Sequence, residues 1–412
     1  MRRVVALFLV LSMTVLAACT SQSGSGGGGA AQNPSGGAQT SSQSGGAKSN
    51  DPIKIGLVAA LTGPSAELGK GIQMAAKLAE KELNAKGGIL GRPVQIIIRD
   101  DQSNTQLGLN AVNELIQKEN VVAIIGPTNS GVVKATLGVT AAAGVPHLIN
   151  NGQDTEFGYD YPHAFQFAMP NRTQARMIAQ FTKETGLDKP GLLTANDGYG
   201  QPGRADVLAE LEQLGVKPVA MEEFKPTDAD MTSQLLRLKD AGANVILFWG
   251  MGNDAATIRK NMATLGWDVP LVGPNPLVMN NFRDLAGPEA RNTYSTYEAT
   301  FIKRPLSPKA EAYAKAWKAE YPDDTLFYGP GEEPYFYLAM GAQTYDAISV
   351  LADAIERAGT DDRAAVLEAL TGTQGFEGVN SVITFSKEKR VALPDEANIL
   401  VEIKPDGVYE MK

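Results

Sequence analysis

The residues whose types and spacing could do chemistry lie in polar turns that each follow a short apolar run. Val121–Ile125 is followed by Gly126-Pro127-Thr128-Asn129-Ser130-Gly131, and Pro146–Ile149 by Asn150-Asn151-Gly152-Gln153-Asp154. Later, Gly191–Ala195 runs into Asn196-Asp197-Gly198-Tyr199-Gly200, and Val245–Trp249 into Gly250-Met251-Gly252-Asn253-Asp254. Ser130 beside the free N–H groups of a helix start suits a carboxylate. As a simple N-cap it would be worth ~1 kcal/mol, and the two roles are compatible. The turn from Asn150 to Asp154, with Asn151, Gly152 and Gln153 at its centre, offers further donors, although a polar turn without a ligand has the same composition. Tyr199 offers an aromatic wall and Asp254 a partner for an ammonium group. Their alternatives are a surface aromatic and an acid that serves only its own helix N-terminus.

Enzymatic motifs fare less well. Gly63-Pro-Ser-Ala-Glu-Leu-Gly69-Lys70-Gly71 has one residue too many between its glycines for a phosphate loop, and Gly71 stands where the Mg²⁺-binding hydroxyl belongs. Gly250-Met-Gly252-Asn-Asp-Ala255 fits a dinucleotide turn, yet the next strand, near Leu271–Gly273, ends in no carboxylate for a ribose. It reads as a glycine turn from strand to helix. The chain has no Gly-x-Ser-x-Gly elbow, one cysteine, and two histidines, His147 and His163. That set builds neither a nucleophile with its base nor a transition-metal site. His147 reads as a packed side chain, and the acidic pairs Asp100-Asp101 and Asp323-Asp324 as solvated loop charges. The expectation is a protein with no catalytic residues, no cofactor and no metal.

The elements that must position these turns alternate strand and helix. Strands near Ile53–Leu61, Val94–Ile98, Val121–Ile125 and Pro146–Ile149 are separated by helices near 65–86 and 105–118 and from Ser130. Fully apolar strands between helices indicate a parallel sheet covered on both faces. The rhythm restarts after Phe165–Ala168, with strands at Gly191–Ala195, Val219–Phe224, Val245–Trp249 and Leu271–Val272. A helix-rich portion follows, including 308–320 and 334–357, and the chain ends in strand-like pieces at Val382–Phe385 and Ile399–Ile403. In such sheets the ligand meets the loops at the carboxyl ends of the strands, where the polar turns lie.

At 412 residues, two domains are the natural expectation. The net charge of −9 argues against nucleic acid as a partner, since phosphate binding needs clustered Lys and Arg. Arg2 and Arg3, the apolar run Val4–Leu11 and the small residues before Cys19 read as an export leader too short to span a bilayer. Leu16-Ala17-Ala18-Cys19 is similar to a bacterial lipobox, which implies a leader of residues 1–19 and lipidation of Cys19. Residues 20–50, rich in Gly, Ser, Gln and Ala, read as a disordered tether.

Taken together, Ile55-Gly-Leu-Val-Ala-Ala-Leu-Thr-Gly-Pro-Ser-Ala-Glu-Leu-Gly69, Asn84-Ala-Lys-Gly-Gly-Ile-Leu-Gly91, Ile125-Gly-Pro-Thr-Asn-Ser130 and Asn196-Asp-Gly-Tyr-Gly200 closely resemble the branched-chain amino acid binding family of transporter-associated receptors. The resemblance runs from Ile53 to the end. It implies the type I periplasmic binding protein fold: two doubly wound parallel-sheet α/β lobes joined by a three-crossing, Venus-flytrap hinge. Crossings near Met169–Asn171, Pro274–Leu277 and Gly375–Asn380 would give one lobe of 51–170 plus 278–376 and another of 171–277 plus 377–412. In the family, the position matching Ser130 binds the ligand carboxylate, helped by the loop matching Asn151–Gln153. The position matching Tyr199 touches the ligand from the second lobe, and an acid near Asp254 holds the ammonium group. Gln153 stands where a small hydroxyl residue is usual and Leu68 where an aromatic is common. The ligand therefore stays open among amino acids, aromatic acids, amides, urea and short amines. The resemblance implies an exported, membrane-anchored solute-binding lipoprotein that delivers an amino acid or similar molecule to the permease of an ABC transporter. The alternative is a receptor of the same fold that reports to a membrane signalling protein.

Overall fold

A computed structural model describes residues 51–412, apart from 64, 151–159, 227, 303–304, 325–335, 407–408 and 412. Five strands, β1 (Ile53–Ala59), β2 (Val94–Asp100), β3 (Ile124–Ile125), β4 (His147–Ile149) and β5 (Ala164–Gln166), form a parallel sheet in the order β2-β1-β3-β4-β5. Helices α1 (Ala66–Ala85), α2 (Thr105–Gln117) and α3 (Ser130–Ala142) make the crossovers between its first four strands. Burial on both faces explains the apolar run Ile55–Ala59 of β1, all five of whose residues are buried.

The chain leaves this sheet after β5 and enters α4 (Asn171–Thr185). A second sheet then builds from β6 (Pro190–Ala195), β7 (Ala220–Phe224), β8 (Val245–Trp249), β9 (Leu271–Gly273) and β10 (Thr293–Glu298), all parallel. Helices α5 (Gly200–Gln213), α6 (Thr232–Asp240), α7 (Gly252–Thr264) and α8 (Asn280–Ala286) alternate with these strands. Two antiparallel strands, β13 (Asn398–Ile403) and β14 (Tyr409–Met411), extend the sheet, giving the order β14-β13-β10-β9-β8-β6-β7. Between β10 and β13 come α9 (Pro308–Glu320), α10 (Phe336–Ala358), α11 (Arg363–Thr371) and a hairpin of β11 (Phe376–Glu377) with β12 (Val382–Ile383). Each lobe is thus an α/β sheet with its own core, wholly parallel in the first lobe and parallel apart from β13 and β14 in the second. The first gathers Ile55, Leu57, Phe165 and Phe167 against Leu351 and Ile355 of α10. The second sets Leu192, Leu247 and Trp249 against Phe181 of α4 and Leu211 of α5.

Two of the expected crossings move. The sequence reading ends the second lobe's middle segment at Leu277, but β10 pairs residue for residue with β9 and β13, so 293–298 belong to the second sheet. Thr-Tyr-Ser-Thr-Tyr-Glu carries no apolar alternation, and hydrogen bonds are what make its burial tolerable. The Ser295 hydroxyl donates to the Pro274 carbonyl (3.0 Å) and the Thr296 hydroxyl to Gln174 Oε1 (2.9 Å). The reading also sends 377–412 to the second lobe. Phe385, however, packs on Phe165 and Phe167 of the first, with ring centroids 4.9 and 5.8 Å away, and Val391 bridges to Gln166 of β5. The last crossing therefore lies between Val391 and β13.

The pair Asp100-Asp101 is likewise not simply solvated. Asp100 accepts the N–H groups of Leu61 and Gln102, each at 2.9 Å, and so ties the loop after β1 to the end of β2. Asp101 is fully buried, accepts the Ser103 N–H at 2.8 Å, and burial raises its pKa.

Candidate functional site

Three of the turns singled out by their chemistry, those after β3, β6 and β8, emerge at the carboxyl ends of strands and start helices; the turn after β4 lies outside the described residues beyond Asn150. In the first lobe the turn after β3 begins with Gly126, whose φ of 82° is in the left-handed region. Its α-carbon lies so close to Val58 that a Cβ would come within 2.1 Å of the carbonyl oxygen. His147 Nε2 lies 2.6 Å from the Gly126 carbonyl, and the Thr140 hydroxyl bridges His147 Nδ1 (3.1 Å) and His163 Nε2 (2.9 Å). Burial pushes these imidazoles down to about 3 and about 4, so both are neutral packing groups that brace the turn. The N-cap of α3 is Asn129, whose Oδ1 accepts the Gly131 N–H at 2.9 Å. Ser130 does not carry that task; it is the first residue of the helix and is buried.

In the second lobe α5 starts against the end of β6, and a Cβ on Gly200 would meet the Ala195 carbonyl oxygen at 1.9 Å. Asp197 Oδ1 accepts the N–H groups of Tyr199 (2.9 Å) and Gly200 (2.7 Å), closing this turn. Tyr199 is half-buried, its ring centroid 5.8 Å from that of Trp249. Burial first, and then the neighbouring Asp197 charge, raise the Tyr199 hydroxyl above its ordinary pKa, which keeps it protonated and able to donate.

Ser130, Tyr199 and Leu68 converge on one cavity of about 300 Å³ between the lobes. The first lobe contributes Ser65, Leu68, Ser103, Thr128, Asn129, Ser130 and Asn150, and α10 adds Met340. The second contributes Asp197, Tyr199, Met251, Asn275 and Met279, while Asn171 and Gln174 stand on α4 just past the first crossing. Across the cleft, a Cβ on Gly198 would lie 4.0 Å from the Gly131 α-carbon, so the two turns nearly touch. The walls divide chemically. Hydroxyl and amide groups gather around the start of α3, and Leu68, Met251, Met279 and Met340 form an apolar side whose methionines can adapt to different shapes. The volume suits a small organic molecule with a polar head and an apolar body.

Asp254 is not among the residues that line this cavity. It sits one turn into α7, buried, with Oδ2 accepting the Met251 N–H at 3.1 Å. Burial is the main reason its carboxyl is pushed up to about 7, and the charges of Asp197 and Asp228 add to the shift. The sequence reading of Asp254 as an ammonium partner is thus replaced by a capping acid, the alternative that reading left open. Asn151, Gly152, Gln153 and Cys19 lie outside the described residues. The reading named Asn150 and Asp197 only as members of their turns, and it missed Asn171, Gln174 and the three methionines as cavity residues. Of these, Asp197 had a visible signal, since it precedes Tyr199 in a turn already singled out; the methionines had none.

The fold and the interlobe cavity define a two-lobed α/β protein with room for a small molecule at the carboxyl ends of both sheets. The periplasmic binding protein family model matches residues 52–407, and the chain belongs to that family. A curated relative, Leu/Ile/Val-binding protein homolog 1 of Brucella suis, is 27% identical over 361 residues, covering 87% of this chain and 92% of the relative. Among solved structures, a periplasmic binding protein type 1 from Bordetella pertussis Tohama I shares 30% identity with a TM-score of 0.82, covering 88% of this chain and all of that one. The branched-chain amino acid transporter substrate-binding protein LivJ of Streptococcus pneumoniae, in complex with isoleucine, shares 26% identity with a TM-score of 0.75 over 88% of this chain and 99% of that one.

Proposed function

We propose that the protein is an exported solute-binding lipoprotein that captures an amino acid or amino-acid-like molecule between its lobes and delivers it to an ABC transporter permease. The observation that carries this reading is the interlobe cavity itself, with donors around the start of α3 on one side and an apolar wall on the other. The likeness to Leu/Ile/Val-binding proteins and to an isoleucine complex supports the same class of ligand. The leader and Cys19 supply the route out of the cytoplasm and the lipid anchor, and the Gly/Ser-rich 20–50 segment the tether. A ligand that touches both lobes favours the closed form by its differential affinity for it, and a permease can recognise that form.

A thermal-shift screen of the purified, ligand-free protein against amino acids, aromatic acids, amides, urea and polyamines tests the reading, because a ligand of the folded form raises apparent stability by mass action. Hits confined to amino acids and close analogues support it; a folded protein that responds only to another class sinks it. Within the site, Ser130→Ala is expected to weaken a carboxylate ligand by about 1–3 kcal/mol, the usual worth of a hydrogen bond to a charged group. Titration calorimetry measures this, and an unchanged affinity removes Ser130 from the site.

A further inference from the structure

We propose that Asp197 is the carboxylate that recognises a cationic nitrogen of the ligand. This assignment rests on the reading of the cavity as the site of an amino-acid-like solute.

Asp197 is the one ionisable acid or base, tyrosine aside, among the described residues that line the cavity. No lysine, arginine or histidine among them offsets its charge, so the walls carry a net negative charge. Its two oxygens have divided duties. Oδ1 holds the Tyr199 and Gly200 N–H groups, while Oδ2 makes no hydrogen bond among the described residues. Asparagine would accept the same two N–H groups, so within the fold the charge adds only its interaction with the positive end of α5.

A second, independent observation concerns the neutral groups. Asn150 Oδ1 and Asn171 Oδ1, on side chains only 2% and 4% exposed, also lack any partner among the described residues. Asn150 donates its amide N–H to the Thr344 hydroxyl (2.8 Å), which leaves the oxygen as its unused group. Gln174 differs, because its Oε1 already receives the Asn275 N–H (3.0 Å) and the Thr296 hydroxyl (2.9 Å). The cavity therefore carries idle acceptors, two of them buried, and a buried acceptor without a donor is costly. A ligand that settles this imbalance brings N–H donors, and a primary ammonium brings three together with the charge that complements Asp197.

Asp254 cannot take this role where it stands, since it faces its own helix start and does not line the cavity. Burial and the Asp197 charge both raise its affinity for a proton, which makes Asp254 the poorer partner for a cation at neutral pH. Asp197 belongs to the second lobe and Asn150 to the first, with Asn171 at the crossing between them.

The test uses the twenty common L-amino acids as probes, followed by the des-amino carboxylic acid of each one that binds, measured by titration calorimetry on wild type, Asp197→Asn and Asp254→Asn. The Asp197→Asn substitution retains a capping oxygen, and melting curves check that each variant is folded. The expected result is that wild type prefers the amino acid to its des-amino analogue. Asp197→Asn then loses about tenfold or more in affinity for the amino acid alone, and Asp254→Asn keeps the wild-type preference. Equal affinity of wild type for both members of the pair, no loss of preference in Asp197→Asn, or its loss in Asp254→Asn overturns the assignment while leaving the amino-acid reading intact. Failure of folded, ligand-free wild type to bind any amino acid overturns that reading and the assignment together.

Discussion

Arg259→Ala is expected to remove about 3–5 kcal/mol of folding stability, the range seen when one partner of a buried polar network is deleted. The guanidinium is almost wholly buried, and each of its nitrogens is used. Nε donates to the Glu289 carbonyl at 2.9 Å, Nη1 to the Val269 carbonyl at 3.1 Å, and Nη2 to Asp268 at 3.0 Å. Truncation strands two backbone carbonyls and opens a cavity beside α7, and each stranded acceptor alone costs roughly 1–3 kcal/mol. Asp268 contributes less, because its side chain is half exposed and water replaces the arginine there. Arg259→Met separates the parts. It keeps the apolar stem and loses the donors, so its loss should fall between wild type and alanine. Urea titrations of the three proteins measure this, and a loss below about 1 kcal/mol for alanine would show that the carbonyls find water. The effect should reach the site, since Arg259 anchors the helix whose start carries Met251 into the cavity.

Arg259 and Asp254, both on α7, mark what sequence patterns reveal and what they do not. The period of the elements was plain: apolar runs such as Val245–Trp249 are strands buried on both faces, and nothing but burial explains five consecutive large apolar residues. The ends of those strands marked the site for the same reason, because polar turns between apolar strands and helices must lie where backbone groups meet solvent or a ligand. Ser130 and Tyr199 were legible as cavity residues on that ground and on family resemblance, and Leu68 on the resemblance alone. Asp254 was legible as an acid at a helix start, but the choice between ammonium partner and cap was not, because a shift of one helical position decides which way a short side chain points. The methionines of the apolar wall come from three separate segments, at 251, 279 and 340, and only the folded chain brings them together. β10 escaped because its hydroxyl-rich residues look exposed in one dimension, while in three the hydroxyls find acceptors in Pro274 and Gln174.

Glu298, the last residue of β10, is expected to make stability depend on pH in the sense opposite to an ordinary carboxylate. It is completely buried, and burial pushes its pKa up to about 7 against the opposing help of the Gln343 amide, whose Nε2 donates to Glu298 Oε1 at 2.9 Å. Two atoms are left over: Glu298 Oε2 and Gln343 Oε1 are both buried acceptors without a partner among the described residues. Two acceptors cannot satisfy one another, whereas a proton on Oε2 converts that oxygen into a donor and suits an acid beside an amide. The native state therefore holds a proton from the ordinary carboxylate range up to about pH 7, over which the unfolded chain has lost it. A group with a raised native pKa contributes stability that is fully present below the unfolded value and is lost as pH rises through the folded one. The shift corresponds to roughly 3 kcal/mol, at about 1.4 kcal/mol per pKa unit. Glu298→Gln removes the titration and keeps the size, so the difference in stability between variant and wild type should move in favour of the variant by that amount from about pH 4.5 to about pH 8. Urea unfolding of both proteins at the two pH values reads the difference directly and cancels the titrations they share. A constant difference would mean that Glu298 is ionised when native, leaving its carboxylate and the Gln343 carbonyl with a single amide between them. Because Glu298 ends β10 within the second sheet and Gln343 stands on α10, which packs against α1 of the first lobe, the same proton bears on how firmly the lobes are joined.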